Sequence, residues 1–153
     1  MMKKILVLSV IASAVILAGC GDKKTEFNVT DLGNELVTSI SYDDELSPLD
    51  IDTARMLLNL SDINIVDSAI YEGSGATAEE IIVLKCSSEG DVTKAKNMMD
   101  ERVAEQKESF EDYVPQELPK LDSAVIKTSG TYAVLSVSGD SAGAEKIIEK
   151  YLN

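Results

Sequence analysis

Twice in this chain, two short apolar runs rich in β-branched residues flank a turn and lead into a Gly-Asp step and a helical stretch. That repeated order constrains the fold more than any other feature, because the hydrophobic period switches from two to 3.6 at the same place in both copies. In the first copy INIVDSAIY (63–71) and EEIIVLKCS (79–87) flank EGSGAT (72–77), and Gly90-Asp91 opens a long helix. Val92, Ala95, Met99, Val103, Gln106 and Phe110 fall near one face of that helix, which should end near Tyr113, before Pro115 and Pro119. In the second copy LDSAVIKT (121–128) and TYAVLSVS (131–138) flank Ser129-Gly130, and Gly139-Asp140 opens a helix striped by Ala144, Ile147, Ile148, Tyr151 and Leu152.

The copies match in letters as well as in order. DSAI (67–70) corresponds to DSAV (122–125), VLKCS (83–87) to VLSVS (134–138), and Gly90-Asp91 to Gly139-Asp140, at offsets of 55, 51 and 49 residues. A duplication explains this, and so does convergence on the small alphabet of strand and cap residues. Asp91 and Asp140 are expected to accept hydrogen bonds from the first helical turn, and Leu84, Cys86, Leu135 and Val137 to share one sheet face. A lone hairpin is marginal. The pattern therefore predicts an α+β two-layer sandwich, with a four-stranded antiparallel sheet from two β-hairpin–helix units and helices on one face. The other face, with Val83, Lys85, Tyr132, Val134 and Ser136, is either covered by N-terminal helices or open for binding.

Upstream, Thr30-Asp31 should cap a helix carrying Leu32, Leu36, Val37 and Ile40, and Asp52 should start a short helix through Ala54 and Leu58. The predicted organisation is a single domain over 31–153, with pseudo-repeats 63–113 and 121–153, preceded by a leader (1–19) and a tether (20–30).

Composition sets limits on chemistry. The 153 residues contain no His, which removes Ser-His-Asp and Cys-His catalysis and the histidine switch. The formal net charge is −13. Lys3 and Lys4 lie in the leader, so the remainder carries 12 basic and 27 acidic residues, net −15. That balance argues against nucleic acid as a partner and against a basic patch on an anionic lipid surface.

MMKK (1–4), the apolar run ILVLSVIASAVI (5–16) and Leu17-Ala18-Gly19-Cys20 have the layout of a secretory signal. The uncharged stretch from Ile5 to Gly21 is 17 residues, short for a spanning helix of about 20. LAGC (17–20) resembles the lipobox of bacterial prolipoproteins. The resemblance implies cleavage between Gly19 and Cys20 and a diacylglyceryl group on the Cys20 sulfur, two acyl chains being enough for a stable anchor. GDKKTEFNVT (21–30) reads as a flexible tether. Cys86, in phase with Ile82 and Leu84, reads as a buried small hydrophobe.

Other candidates read as structural. Asp43-Asp44-Glu45 with Asp50 and Asp52 lacks a calcium-loop pattern and reads as a solvated loop. Lys94, Lys96, Arg102 and Lys107 interleave with acids on the long helix, a charged solvent face. Ser74-Gly75 and Ser129-Gly130 lack a phosphate-loop or nucleophile-elbow context. The sequons at Asn28 and Asn59 matter only in a glycosylating pathway.

From Asp31 to Leu152 the element order, the acidic helix ending in Glu111-Asp112-Tyr113-Val114-Pro115 and the hairpin Gly130-Thr131-Tyr132-Ala133-Val134-Leu135-Ser136 resemble small Gram-positive lipoproteins catalogued as Domain of Unknown Function 4358. The resemblance implies a location and no activity. The expectation is a lipoprotein on the outer face of the cytoplasmic membrane, bound through diacylglyceryl-Cys20. Its domain is expected to be a non-enzymatic binding domain, with an envelope protein as a possible partner and no cofactor, metal or catalytic residue. The alternatives are an accessory subunit of an envelope complex and a carboxylate-dependent cell-wall hydrolase.

Overall fold

The structure, a computed structural model, describes residues 26–153. The signal peptide, its Gly19–Cys20 cleavage site and the lipidated Cys20 expected from the sequence lie outside the described residues.

Among the described residues the chain forms an α+β fold of five α-helices and one five-stranded antiparallel sheet. The elements in chain order are α1 (Val29–Ser39), β1 (Ser47–Pro48), α2 (Ile51–Leu57), β2 (Ile65–Glu72), β3 (Glu80–Cys86), α3 (Glu89–Tyr113), a 3-10 turn (Pro115–Glu117), α4 (Leu118–Asp122), β4 (Val125–Ser129), β5 (Tyr132–Val137) and α5 (Ser141–Leu152). The strand order is β1-β2-β3-β5-β4. None of the described helices is long and apolar enough to cross a membrane.

Two expectations change. The sheet has five strands, not four. Ser47 and Pro48 pair with Glu72 and Tyr71 at the outer edge of β2, where a proline without an N–H is tolerated. The helices also do not share a face. α2, α3 and α4 lie on one side, where Ile70, Ile82, Leu84, Cys86, Leu135 and Val137 meet Ala54, Val92, Met99, Val103, Phe110 and Leu121. α1 and α5 lie on the other, where Ala69, Tyr71, Ile81, Val83, Tyr132 and Val134 meet Leu32, Leu36, Ala144 and Ile148. The physical reason is in the central strands. Ile81, Ile82, Val83 and Leu84 are consecutive and all fully buried, as are Ala133, Val134 and Leu135. Alternating side chains of such a run point to both faces, so both must be covered.

The two hairpins meet at β3 and β5, where Val83 pairs with Val134 and Leu84 with Ala133. Past the strands they diverge. Ser87 and Ser88 join β3 to α3, whereas Ser138, Gly139 and Asp140 join β5 to α5. The second connection is one residue longer, and its helix crosses to the opposite face.

Capping also differs from expectation. Asn28 caps α1 through a 2.8 Å hydrogen bond from Thr30 N–H, in place of Thr30-Asp31. Asp50, not Asp52, caps α2, accepting from the Asp52 and Thr53 amides. Ser88 caps α3 by accepting from Asp91 N–H, which leaves the Asp91 carboxylate free for other donors. Asp140 caps α5, as its position before Ser141 suggests, by accepting from Gly143 N–H.

Residues 26–30, expected in the tether, belong to the fold. The Phe27 ring stacks on Tyr132 at 4.1 Å between centroids and meets Tyr151 edge-on at 5.4 Å. Tyr132 Oη lies 3.1 Å from the Phe27 carbonyl, and Lys85 pairs with Glu26. Lys85 thus points away from Cys86, which is buried and whose thiol is pushed up to about 11 by burial and then by Asp91.

Gly33 is the closest approach of α1 to the sheet. A Cβ there would stand 2.7 Å from Tyr71 Cε2 and 3.0 Å from Ala69 Cβ, and the Tyr71 ring is held by its hydroxyl on Asn34. Ala is favoured over Gly by about 1 kcal/mol in a free helix. Gly33→Ala should nevertheless destabilise the domain, by about 1–3 kcal/mol of overpacking; urea unfolding of the pair measures the sign.

Candidate functional site

Two consecutive carboxylates stand at the head of β3, Glu79 just before it and Glu80 as its first residue, and both are buried. Each meets a cation of its own, Lys120 of α4 for Glu79 and Arg102 of α3 for Glu80.

Glu79 accepts from the amides of Asp43 (2.9 Å) and Asp44 (3.0 Å) and from Thr77 Oγ1. Lys120 Nζ stands 3.0 Å from Glu79, 2.7 Å from Asp43 and 3.1 Å from Glu117. Glu117 in turn accepts from Ala78 N–H at 2.9 Å. The 43–45 loop is therefore not a freely solvated acidic stretch: Glu79 holds its backbone, Lys120 holds Asp43, and Asp44 accepts from Ser74 N–H and Oγ. Burial works against the charge of Lys120, but its hydrogen bonds to Asp43, Glu79 and Glu117 outweigh this and hold its pKa well above the ordinary lysine value. It is a fixed cation, unsuited to act as nucleophile or base.

Glu80 turns to the α3 face. Arg102 Nε donates to its Oε2 at 2.6 Å, and Arg102 Nη2 donates to Glu72 at 3.0 Å. Arg102 thus leaves the solvent face expected for it. Glu80 Oε1 is buried with no hydrogen-bond partner. Burial pushes the Glu80 carboxyl up to about 7, against the pull of Arg102. At the other end of the sheet the Asp91 carboxylate accepts from Ser88 Oγ (2.7 Å), Ser87 Oγ (2.9 Å) and Asn64. Those hydrogen bonds, that of Ser88 foremost, hold its pKa far below the usual carboxylate range.

Arg102 also lines the wall of a groove between α2 and α3. A recess of about 490 Å³ runs over Asp62, Ile63, Lys94 and Asn97. It shares Asn59, Met98 and Glu101 with a smaller one at Leu57, Arg102 and Glu105. Asn59 sits at φ +52°, the left-handed turn that ends α2 and that Asn tolerates better than most residues. Leu57 and its neighbour Met56 are exposed on the α2 side. A second groove, of about 560 Å³, lies between α1 and α5 over Ile40 and Ile147. Its charges are largely engaged internally, Lys150 with Glu35 and Asp140 with the start of α5.

The other sequence candidates take structural roles. Ser74-Gly75 and Ser129-Gly130 form turns with glycines at φ +88° and +55°. Asn28 and Asn59 sit at helix ends. No group of three or more metal-ligating side chains is assembled among the described residues. Sequence reasoning missed Glu79, Glu80, Arg102, Glu117 and Lys120. The signal for the first two was present: two carboxylates at the head of a strand otherwise apolar on both faces.

The family model described as Domain of unknown function (DUF4358) matches residues 40–138. That stretch holds the whole sheet, both ion clusters and the α2–α3 groove, and leaves α1 and α5 outside it. Comparison with curated proteins and with solved structures gave no match.

Two substitutions test the clusters. Lys120→Met would strand Glu79 and Glu117 as buried unpaired carboxylates, and urea unfolding should show a loss of about 3–5 kcal/mol. Glu80 binds its proton more tightly folded than unfolded. Its contribution is therefore full below about 4.5 and is lost as pH rises through about 7. In unfolding curves collected across that window, wild type should lose stability with rising pH, and Glu80→Gln should remove that loss.

Proposed function

We propose that this chain, which belongs to the DUF4358 family, is a lipoprotein held at the outer face of the cytoplasmic membrane through Cys20, and that its domain binds an envelope partner. The observation that carries the reading is LAGC at 17–20, behind a basic start and an apolar run, with five residues between Cys20 and Glu26, the first of the described residues. Cys86, the other cysteine, is enclosed in the core between the sheet and α3.

Binding is favoured over hydrolysis by the use to which the enclosed carboxylates are put. Glu79 and Glu117 share Lys120, and Glu80 is held by Arg102. A glycoside hydrolase needs two carboxylates facing each other across a cleft, whereas these three join secondary-structure elements. The α2–α3 groove offers what a partner site needs: an apolar floor at Ile63 and Met98, charges of both signs on its rim, and exposed Met56 and Leu57 beside it. It also lies wholly within the family-matched stretch.

Radiolabelled palmitate fed to producing cells should enter the wild-type chain, and Cys20→Ala should abolish both the label and the membrane fraction. Equal labelling of the variant overturns the anchor. In the same cells a photo-crosslinker at Asn97, in the groove, should give a discrete adduct that one at Thr128 does not; adducts that do not depend on position count against the groove.

A further inference from the structure

The described chain begins at one pole of the sheet. Glu26 and Phe27 dock on Lys85 and Tyr132, which pair with each other across β3 and β5 at the ends of those strands farthest from Glu80 and Val137. Three other features share that pole. They are the β4–β5 turn at Gly130, the start of α3, and the end of α5, whose Leu152 carbonyl accepts from Ser129 Oγ at 3.0 Å. The opposite pole holds the β2–β3 turn, the 43–45 loop and the last turns of α3.

Both poles are acidic. The far pole carries Asp43, Asp44, Glu45, Glu108, Glu111 and Asp112, with Lys107 and Lys120 its nearby cations. At the near pole Glu26 is paired with Lys85 and Asp91 with Lys94, and exposed Asp31, Asp62, Asp67 and Glu89 lie there as well.

From the docking of Glu26 and Phe27 we infer that the domain stands on the bilayer with its Glu26–Tyr132 pole down and the pole of the 43–45 loop displayed outward. The inference rests on the anchoring of Cys20 proposed above. From Cys20 to Glu26 there are six backbone steps, a reach of about 20 Å at most. α3, with 25 residues, is about 37 Å long and runs from the near pole toward the far one. Inverting the domain would lift its attachment point farther from the bilayer than the chain can reach. The Phe27–Tyr132 stack makes the short reach effective, because it moves the attachment point from Val29 back to Glu26. A partner approaching from outside then meets the β2–β3 turn and the 43–45 loop first, while the Asp62–Lys94 end of the α2–α3 groove faces the bilayer.

The test uses the full-length lipidated chain in vesicles of phosphatidylcholine and phosphatidylglycerol that carry a headgroup quencher. A fluorophore is placed through Asn153→Cys at the near pole or Ala76→Cys at the far pole, both exposed positions. The expected result is several-fold stronger quenching at 153 than at 76, with the ratio falling toward one in a Phe27→Ala background while flotation with the vesicles persists. Equal or reversed quenching in a chain that floats overturns the orientation alone. An unchanged ratio in Phe27→Ala overturns the docked N-terminus as its cause. A chain that does not float overturns the anchor reading and the orientation with it.

Discussion

Burial of Glu79 and Glu80 at the head of β3 is the constraint around which the upper half of the domain is organised. A carboxylate taken out of water costs several kcal/mol unless a cation and hydrogen bonds replace the lost solvation. The two are adjacent in the chain and find compensation in different helices, α4 and α3. Glu79 finds it in Lys120 and in the amides of Asp43 and Asp44; Glu80 finds it in Arg102, which also holds Glu72. The positions of α4, of the 43–45 loop and of the middle of α3 are therefore linked to two residues of one strand. Compensation is complete at Glu79 and incomplete at Glu80, whose Oε1 has no partner. Burial pushes the Glu80 carboxyl up to about 7, against the pull of Arg102.

The same strand dictates the layering. Behind its two acids, Ile81 to Leu84 is apolar without alternation, and the neighbouring β5 repeats this from Ala133 to Leu135. A sheet whose central strands are apolar on both faces cannot leave one to water. α3 is long enough to cover one face with help from α2 and α4. The other needs α1 and α5 together, and their approach depends on Gly33 admitting the Tyr71 ring. The N-terminal Phe27 completes this second core by stacking on Tyr132, so the chain leaves the domain at a defined point.

Local elements were legible because their signals are local. The periods of the strands and of α3, the turns at Gly75 and Gly130, and the core position of Cys86 follow from spacing alone. The caps at Asn28, Asp50 and Ser88 lay two or three residues from the expected ones, since Ser, Asp, Asn and Thr compete for that role and backbone geometry decides among them. Arg102 could not be told from Lys94 or Lys96 on the charged helix. Its inward turn depends on Glu80, some twenty residues away in sequence and a neighbour only once β3 and α3 pack. The two-residue β1 carried no periodicity at all.

By itself the sequence determined the α+β character, the two hairpins with their following helices, the family and the absence of histidine chemistry, because each depends on residue type and short-range spacing. Only the tertiary structure decided that the helices part to opposite faces, that Lys120 gathers three carboxylates, that Glu80 is left half-compensated and that Phe27 is docked. These depend on which strand faces meet which helices and on how much water remains between them. Period and propensity act along the chain, and desolvation acts across it.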